Sequence, residues 1–180
     1  MPPGKVLAAL GLPAGAKVMC ACPVCLEVAD GAEGWLVVTS RGLALSGPDC
    51  RARLAHINWL EIERVAVRRQ RGEKGRRVGT ELVVHRIDQS EPTRAFLPKA
   101  DHHLVEVLTE RLWASVVMTE HVKVPGGQIR GALRRAHDDE LEIQIIVPPE
   151  LDAEAPEVKQ AVAELGQRLG ERVGLTPQTW

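Results

Sequence analysis

The chain has no tyrosine and one phenylalanine, and with four tryptophans its aromatic share is only 3% of 180 residues. Single-stranded nucleic acid is held largely by stacking bases on exposed rings, so this scarcity argues against that class of ligand. No run of about 18 apolar residues occurs, which excludes a membrane-spanning helix. The start of the chain, Met1 to Leu12, carries one lysine and a short apolar stretch from Val6 to Leu10. That is too short and too weakly charged for a secretory signal, and the expected location is the cytoplasm. Cysteine is sparse: Cys20, Cys22, Cys25 and Cys50. Without an export signal they are expected to be reduced thiols rather than a disulfide framework. The G-x-S-x-G, H-E-x-x-H, Walker and Rossmann fingerprints are all missing, and Gly11 to Gly15 contains a proline and lacks the strand-to-helix setting that cradles phosphate. We therefore expect neither an enzyme nor a bound cofactor.

What is present is ordinary globular material, 44% apolar and 26% charged. A chain of this length buries roughly 70% of the surface its unfolded form exposes, enough for one domain or one domain with a small appended unit. After a short helix from Lys5 to Leu10 and a turn at 11–15, Lys17 to Val28 is strand-like. Pro23 within it implies an edge or a bulge. Trp35 to Thr39 and Gly42 to Leu45 flank a short polar stretch and predict a hairpin. Arg53 to Arg69 reads as two strands joined near Asn58, with a slip of period between Ile62 and Val65 that predicts a bulge or a bend. Glu81 to Ile87 and Thr93 to Leu97 complete seven strands.

A helix is expected from Asp101 to about His121, because Leu104, Val107, Leu108, Leu112, Ser115, Val116 and Thr119 recur at helical spacing. Beyond it, Gln128 to Arg135 and the alternating Leu141, Ile143, Ile145 and Val147 predict a half-buried hairpin. A last helix should run from Ala155 to Val173, with Pro156 in its first turn and Val158, Ala161, Val162, Leu165 and Leu169 along one stripe. The expected organisation is an N-terminal segment (1–15), a domain (16–122), and a ββα extension (123–180) packed on it.

Seven strands followed by a long helix is the order of a PH-like domain, and two segments resemble bacterial members of that superfamily. Gly34-Trp35-Leu36-Val37-Val38-Thr39-Ser40-Arg41-Gly42-Leu43 is similar to their Leu-Val-Val-Thr-x-Arg-x-Leu hairpin. Ile57-Asn58-Trp59-Leu60-Glu61-Ile62-Glu63-Arg64-Val65 is similar to their W-x-x-I-x-x-V strand pair. With Arg111 to Val117, the chain also resembles a conserved family of high-GC bacteria. The resemblance implies an α+β fold, a seven-stranded bent barrel or sandwich capped by an amphipathic helix. It implies a non-catalytic scaffold for protein interaction or self-association, and transfers no catalytic residue and no ligand. The connection that is basic in lipid-binding PH domains is here Ala29-Asp30-Gly31-Ala32-Glu33, acidic and small, which speaks against their lipid recognition.

Two sets of residues carry chemistry. Cys22-Pro23-Val24-Cys25 has the two-residue gap of a zinc knuckle or a redox pair, and Cys50 with His56 would complete a tetrahedral set. A second close pair is lacking, and a redox thiol needs a helix N-terminus rather than a strand, so small buried hydrophobes are the simpler reading. The other set is a basic segment: Arg64, Arg68, Arg69, Arg71, Lys74, Arg76 and Arg77 against Glu73 alone give 7 − 1 = +6. With a net charge of −1, the rest of the chain carries −7. Eight acidic residues and no basic one lie between Asp138 and Glu157. A loop so charged (Arg68, Arg69, Arg71, Lys74, Arg76, Arg77) fits nucleic acid, anionic lipid headgroups or an acidic protein. Equally, its charges suit a solvated hairpin that resists edge pairing or meets the acidic stretch within the chain.

Overall fold

Alternating apolar side chains divide most of the chain into strands, and a computed structural model describes residues 4–26, 33–47, 53–71, 77–88, 90–97, 102–136 and 139–174. The chain splits into two units, Met1–Trp113 and Ala114–Trp180. The protein is α+β, with antiparallel sheets and a C-terminal helix.

The first unit contains α1 (Gly4–Leu10), β1 (Val18–Leu26), β2 (Glu33–Thr39), β3 (Gly42–Ser46), β4 (Arg53–Asn58), β5 (Ile62–Arg71), β6 (Arg77–Arg86), β7 (Thr93–Leu97) and all but the last two residues of α2 (His102–Ser115). Its sheet has the order β4-β3-β2-β1-β7-β6-β5. The end strands β4 and β5 are not paired with each other, so the sheet is open rather than a closed barrel. It must nonetheless curl. Six strand spacings on a flat sheet separate the edges by about 29 Å, whereas only the 3-10 turn Trp59–Glu61 joins β4 to β5. The four residue steps from Asn58 to Ile62 reach at most about 14 Å.

That turn is written into Asn58-Trp59-Leu60-Glu61. The Asn58 side chain accepts from the Leu60 N–H at 3.0 Å and the Glu61 carboxylate accepts from the Asn58 N–H at 3.4 Å, a capping box. Trp59 is buried and donates its indole N–H to the Thr39 carbonyl at 3.1 Å, fastening the turn to the β2–β3 hairpin. The expected bulge is present in β5, where the register shifts between Ile62 and Arg64. Pro23 lies where β1 pairs with β2 alone, upstream of the contact of Cys25 and Leu26 with β7, so its missing N–H costs no bond to a second neighbour.

All seven strands contribute to one core, including Val24, Leu36, Leu43, Ile57, Ile62, Leu82 and Leu97, and α2 lays Leu104, Val107 and Leu108 on it. The opposite face of β2 and β3 is covered too: Val6 and Leu10 of α1 pack on Val37 and Ala44. Two covered faces explain why these strands read as continuous apolar runs rather than as alternation.

The second unit is a meander of β8 (Val116–Val124), β9 (Gly127–Arg135) and β10 (Leu141–Ile146), in the order β10-β9-β8, with α3 (Pro156–Arg172) on one face. Here the structure corrects the sequence reading: the expected helix ends at Ser115, and Val116 to His121 belong to a strand, so the expected ββα extension is a βββα unit. Val116, Val117 and Thr119 are β-branched and lose side-chain freedom in a helix. The burial of β8 alternates strictly along its nine residues. The Pro125-Gly126 turn that follows uses proline's fixed φ and a left-handed glycine at φ 87°.

Val158, Ala161, Leu165 and Leu169 of α3 meet Ile129 and Leu151, flanked by Met118, Val122, Ile143 and Ile145. Gly131 is where helix and sheet come closest, since a Cβ there would lie 2.8 Å from Leu165 Cγ and from Leu169 Cδ1. Glu120 shares the helix-facing side of β8 with Met118 and Val122. Arg172 reaches it at 2.9 Å and Arg168 at 3.9 Å. No helix of the described residues is long and apolar enough to cross a membrane.

Candidate polyanion surface

The basic segment forms the β5–β6 hairpin, with β5 at the edge of the sheet. Strand alternation sorts its side chains. Val65 packs against the core, and Val67 and Arg69 follow on the same side. Val67 is 41% exposed and Arg69 is exposed, so this end of β5 outruns the core. Arg64, Ala66, Arg68 and Gln70 point to the outer face, opposite His85, Val83, Glu81 and Gly79 of β6. One strand further in, Arg94 of β7 pairs with Val83 in register, and its guanidinium donates to Glu81 at 2.9 Å.

Of the loop residues read from sequence, Arg68 and Arg69 are exposed strand residues, and Arg71 and Arg77 are opposed at the hairpin's end. Lys74 and Arg76 lie outside the described residues. Among the described residues, Arg64, Arg68 and Arg69 have no carboxylate at ion-pair distance, whereas Arg86 and Arg94 do, with Glu61 and Glu81.

His85 registers the resulting field. Its pKa is held below the ordinary histidine value, first by partial burial and then by the Arg64 guanidinium, with Arg68 and Arg94 adding to the effect and Glu63 opposing it. Arg64 Nη2 stands 3.5 Å from its Nδ1. Charge counting along the chain found Arg64 but not His85 or Arg94, which join it only through the pairing of three strands. The alternation of Arg64 and Arg68 about Ala66 was the one signal available beforehand.

The thiol set is not gathered among the described residues. Cys22 is buried in the core and Cys20 is half-buried beside it. Cys25 is an odd number of residues from Cys22 and leaves β1 on the other face, opposite Phe96. His56 is opposite Ala44, on the face covered by α1 rather than in the core with Cys22. Cys50 lies outside the described residues. No group of three or more His, Cys, Asp or Glu among the described residues is placed to hold a metal ion.

In the second unit, Arg134 is 3% exposed and donates to the Ser115 hydroxyl at 2.8 Å. Its pKa is lowered first by desolvation and then by Arg130, with Glu142 opposing. Asp139 and Glu154 of the acidic stretch meet Arg135 at 3.9 Å and Lys159 at 2.6 Å. No protein-family model matches the chain, and no curated protein matches it.

Proposed function

We propose that the chain is a non-catalytic binding module on a PH-like scaffold, and that it meets its partner with the β5 side of the seven-stranded sheet. One observation carries this reading: β5 is an edge strand whose exposed Arg64, Arg68 and Arg69 find no counter-charge among the described residues. A strand edge offers unpaired backbone groups, and charges the fold does not neutralise are free to meet a partner. The PH-like scaffold is supported by the curl that joins the sheet's edges through a three-residue turn and by α2 lying on the core. A protein partner or a second copy of the chain fits an edge strand. Peripheral binding to anionic lipid or nucleic acid through 68–77 is the second reading, favoured by the same arginines.

A photo-crosslinking residue placed at Val67, which is exposed on the edge strand, tests the module. In cells making the full chain, position 67 is expected to give a discrete adduct that Ala163, on the exposed side of α3, does not. Equal or absent adducts at both positions would remove the reading.

A further inference from the structure

The basic surface is wider than a loop. Arg64 and Arg68 are four residues apart on one face of β5, about 13 Å along the strand, and Arg94 stands two strands away on the same face. Three cations are thus spread over one sheet surface, while Arg69 is exposed on the opposite side of β5. Among the described residues, the acids beside these cations are Glu81, held by Arg94, and Glu63, the one group that raises the His85 pKa.

The apolar residues between the cations do not project: Val83 is 1% exposed, and Ala66 and Phe96 are only partly exposed. A lipid surface is gripped by apolar side chains as well as by charge, and among the described residues this face offers none that protrudes. Stacked bases need exposed rings, and Phe96 is the only ring of its type in the chain. Spread cations without apolar anchors or stacking platforms fit a repeating array of phosphates.

We propose that the outer face of β5, β6 and β7, with Arg64 and Arg68 as its principal contacts, docks the phosphodiester backbone of double-stranded nucleic acid without reading the bases. This rests on the binding-module reading and specifies its partner. With Arg64 3.5 Å from its ring and Arg68 and Arg94 adding to the field, His85 is the built-in reporter. Phosphate near Arg64, Arg68 and Arg94 offsets their field, while Glu63 and Glu81 stay in place. The imidazole then takes up a proton more readily, and affinity rises as pH falls through its titration range.

The test uses the full chain, two fluorescent duplexes of unrelated sequence and anionic phospholipid vesicles, titrated over a series of salt concentrations. Both duplexes are expected to bind equally, with affinity falling steeply as salt rises. R64Q/R68Q should lower the steepness of the log–log salt dependence by roughly 1.8, at about 0.9 for each phosphate left without its arginine. R168Q, a charge change in the second unit, should leave it unchanged. Thermal melting confirms that each variant is folded. By NMR, duplex should raise the His85 pKa toward its ordinary value.

An unchanged salt slope in R64Q/R68Q, or duplex binding that leaves His85 unmoved, overturns the assignment to this face. Binding to vesicles but not duplex overturns the nucleic-acid partner. If duplex fails to bind at low salt while the Val67 adduct persists, this inference fails and the module stands. If both are lost, both fail.

Discussion

The two units place their charges differently. In the second, ion pairs tie helix to sheet and loop to strand: Glu120 faces α3 and is met by Arg168 and Arg172, Asp139 by Arg135, and Glu154 by Lys159. In the first, Arg86 and Arg94 are paired, but Arg64, Arg68 and Arg69 are arrayed on an edge strand without a described carboxylate partner. Their cores differ in the same sense. Among the described residues, sixteen buried ones, drawn from seven strands, the Trp59 turn and α2, form the larger core, and six form that of the second unit. A small core gains from a charge lock between helix and sheet. A large one can carry like charges on its rim without needing them for folding.

The strongest way to break that contrast is Leu165→Ala. Leu165 is fully buried against Gly131 in the smaller core, and truncation there should cost about 2–5 kcal/mol through the burial forfeited and the cavity left. Hydrogen exchange should show the loss of protection in β8, β9 and β10. Exchange in those strands at the native rate would mean that α3 does not close this core. A smaller effect is expected from Glu120→Gln. Because Arg168 and Arg172 are half exposed and can turn to water, the loss should be about 1 kcal/mol or less and should shrink in high salt. Denaturant melts at two ionic strengths measure it, and a salt-independent loss would assign Glu120 a packing role instead.

The smallest effect concerns pH in the first unit. The folded-state pKa of His85 is lowered, so the unfolded chain binds more protons as the solution becomes acidic. The contribution of a neutral His85 is therefore complete above the ordinary value of 6.5 and is lost as pH falls through and below it. His85→Gln should flatten the decline in stability between about pH 7 and 5. A variant whose pH profile overlays that of the parent would show that burial and the arginine field together leave this site's titration without effect on stability.

Much of this architecture was legible in the residues because turns and alternation act locally. The β2–β3 hairpin, the strand break at Asn58, the bulge after Ile62 and the stripe on α3 all follow from neighbours in sequence. The second half of the expected long helix failed because Ser115, Val116 and Thr119 fit a helical face, while Met118, Val122 and Val124 fit a strand face. Over so short a stretch both periods match, and only the β-branched residues and the partner strand β9 decide between them. The arginine face was half legible. Arg64 and Arg68 share a face by parity alone, but Arg94 and His85 reach them through registers that no local pattern encodes. The Glu120 lock was hidden likewise, since an acid amid apolar alternation finds its partners on a helix about fifty residues later.

The cover that α1 lays over β2 and β3 bears on the order in which the chain assembles during synthesis. Val6 and Leu10 leave the ribosome well before Val37 and Ala44, the surface they will occupy. The hairpin joins residues close in sequence, from Thr39↔Gly42 to Trp35↔Ser46, so it can form as soon as Ser46 emerges. The helix, only seven residues long, is too short to persist alone and must wait for that hairpin. A segment made before the hairpin thus settles after it. Pulse-labelling of refolding chains should find the α1 amides protected after those of β2 and β3, and the reverse order would show that the helix guides the hairpin instead.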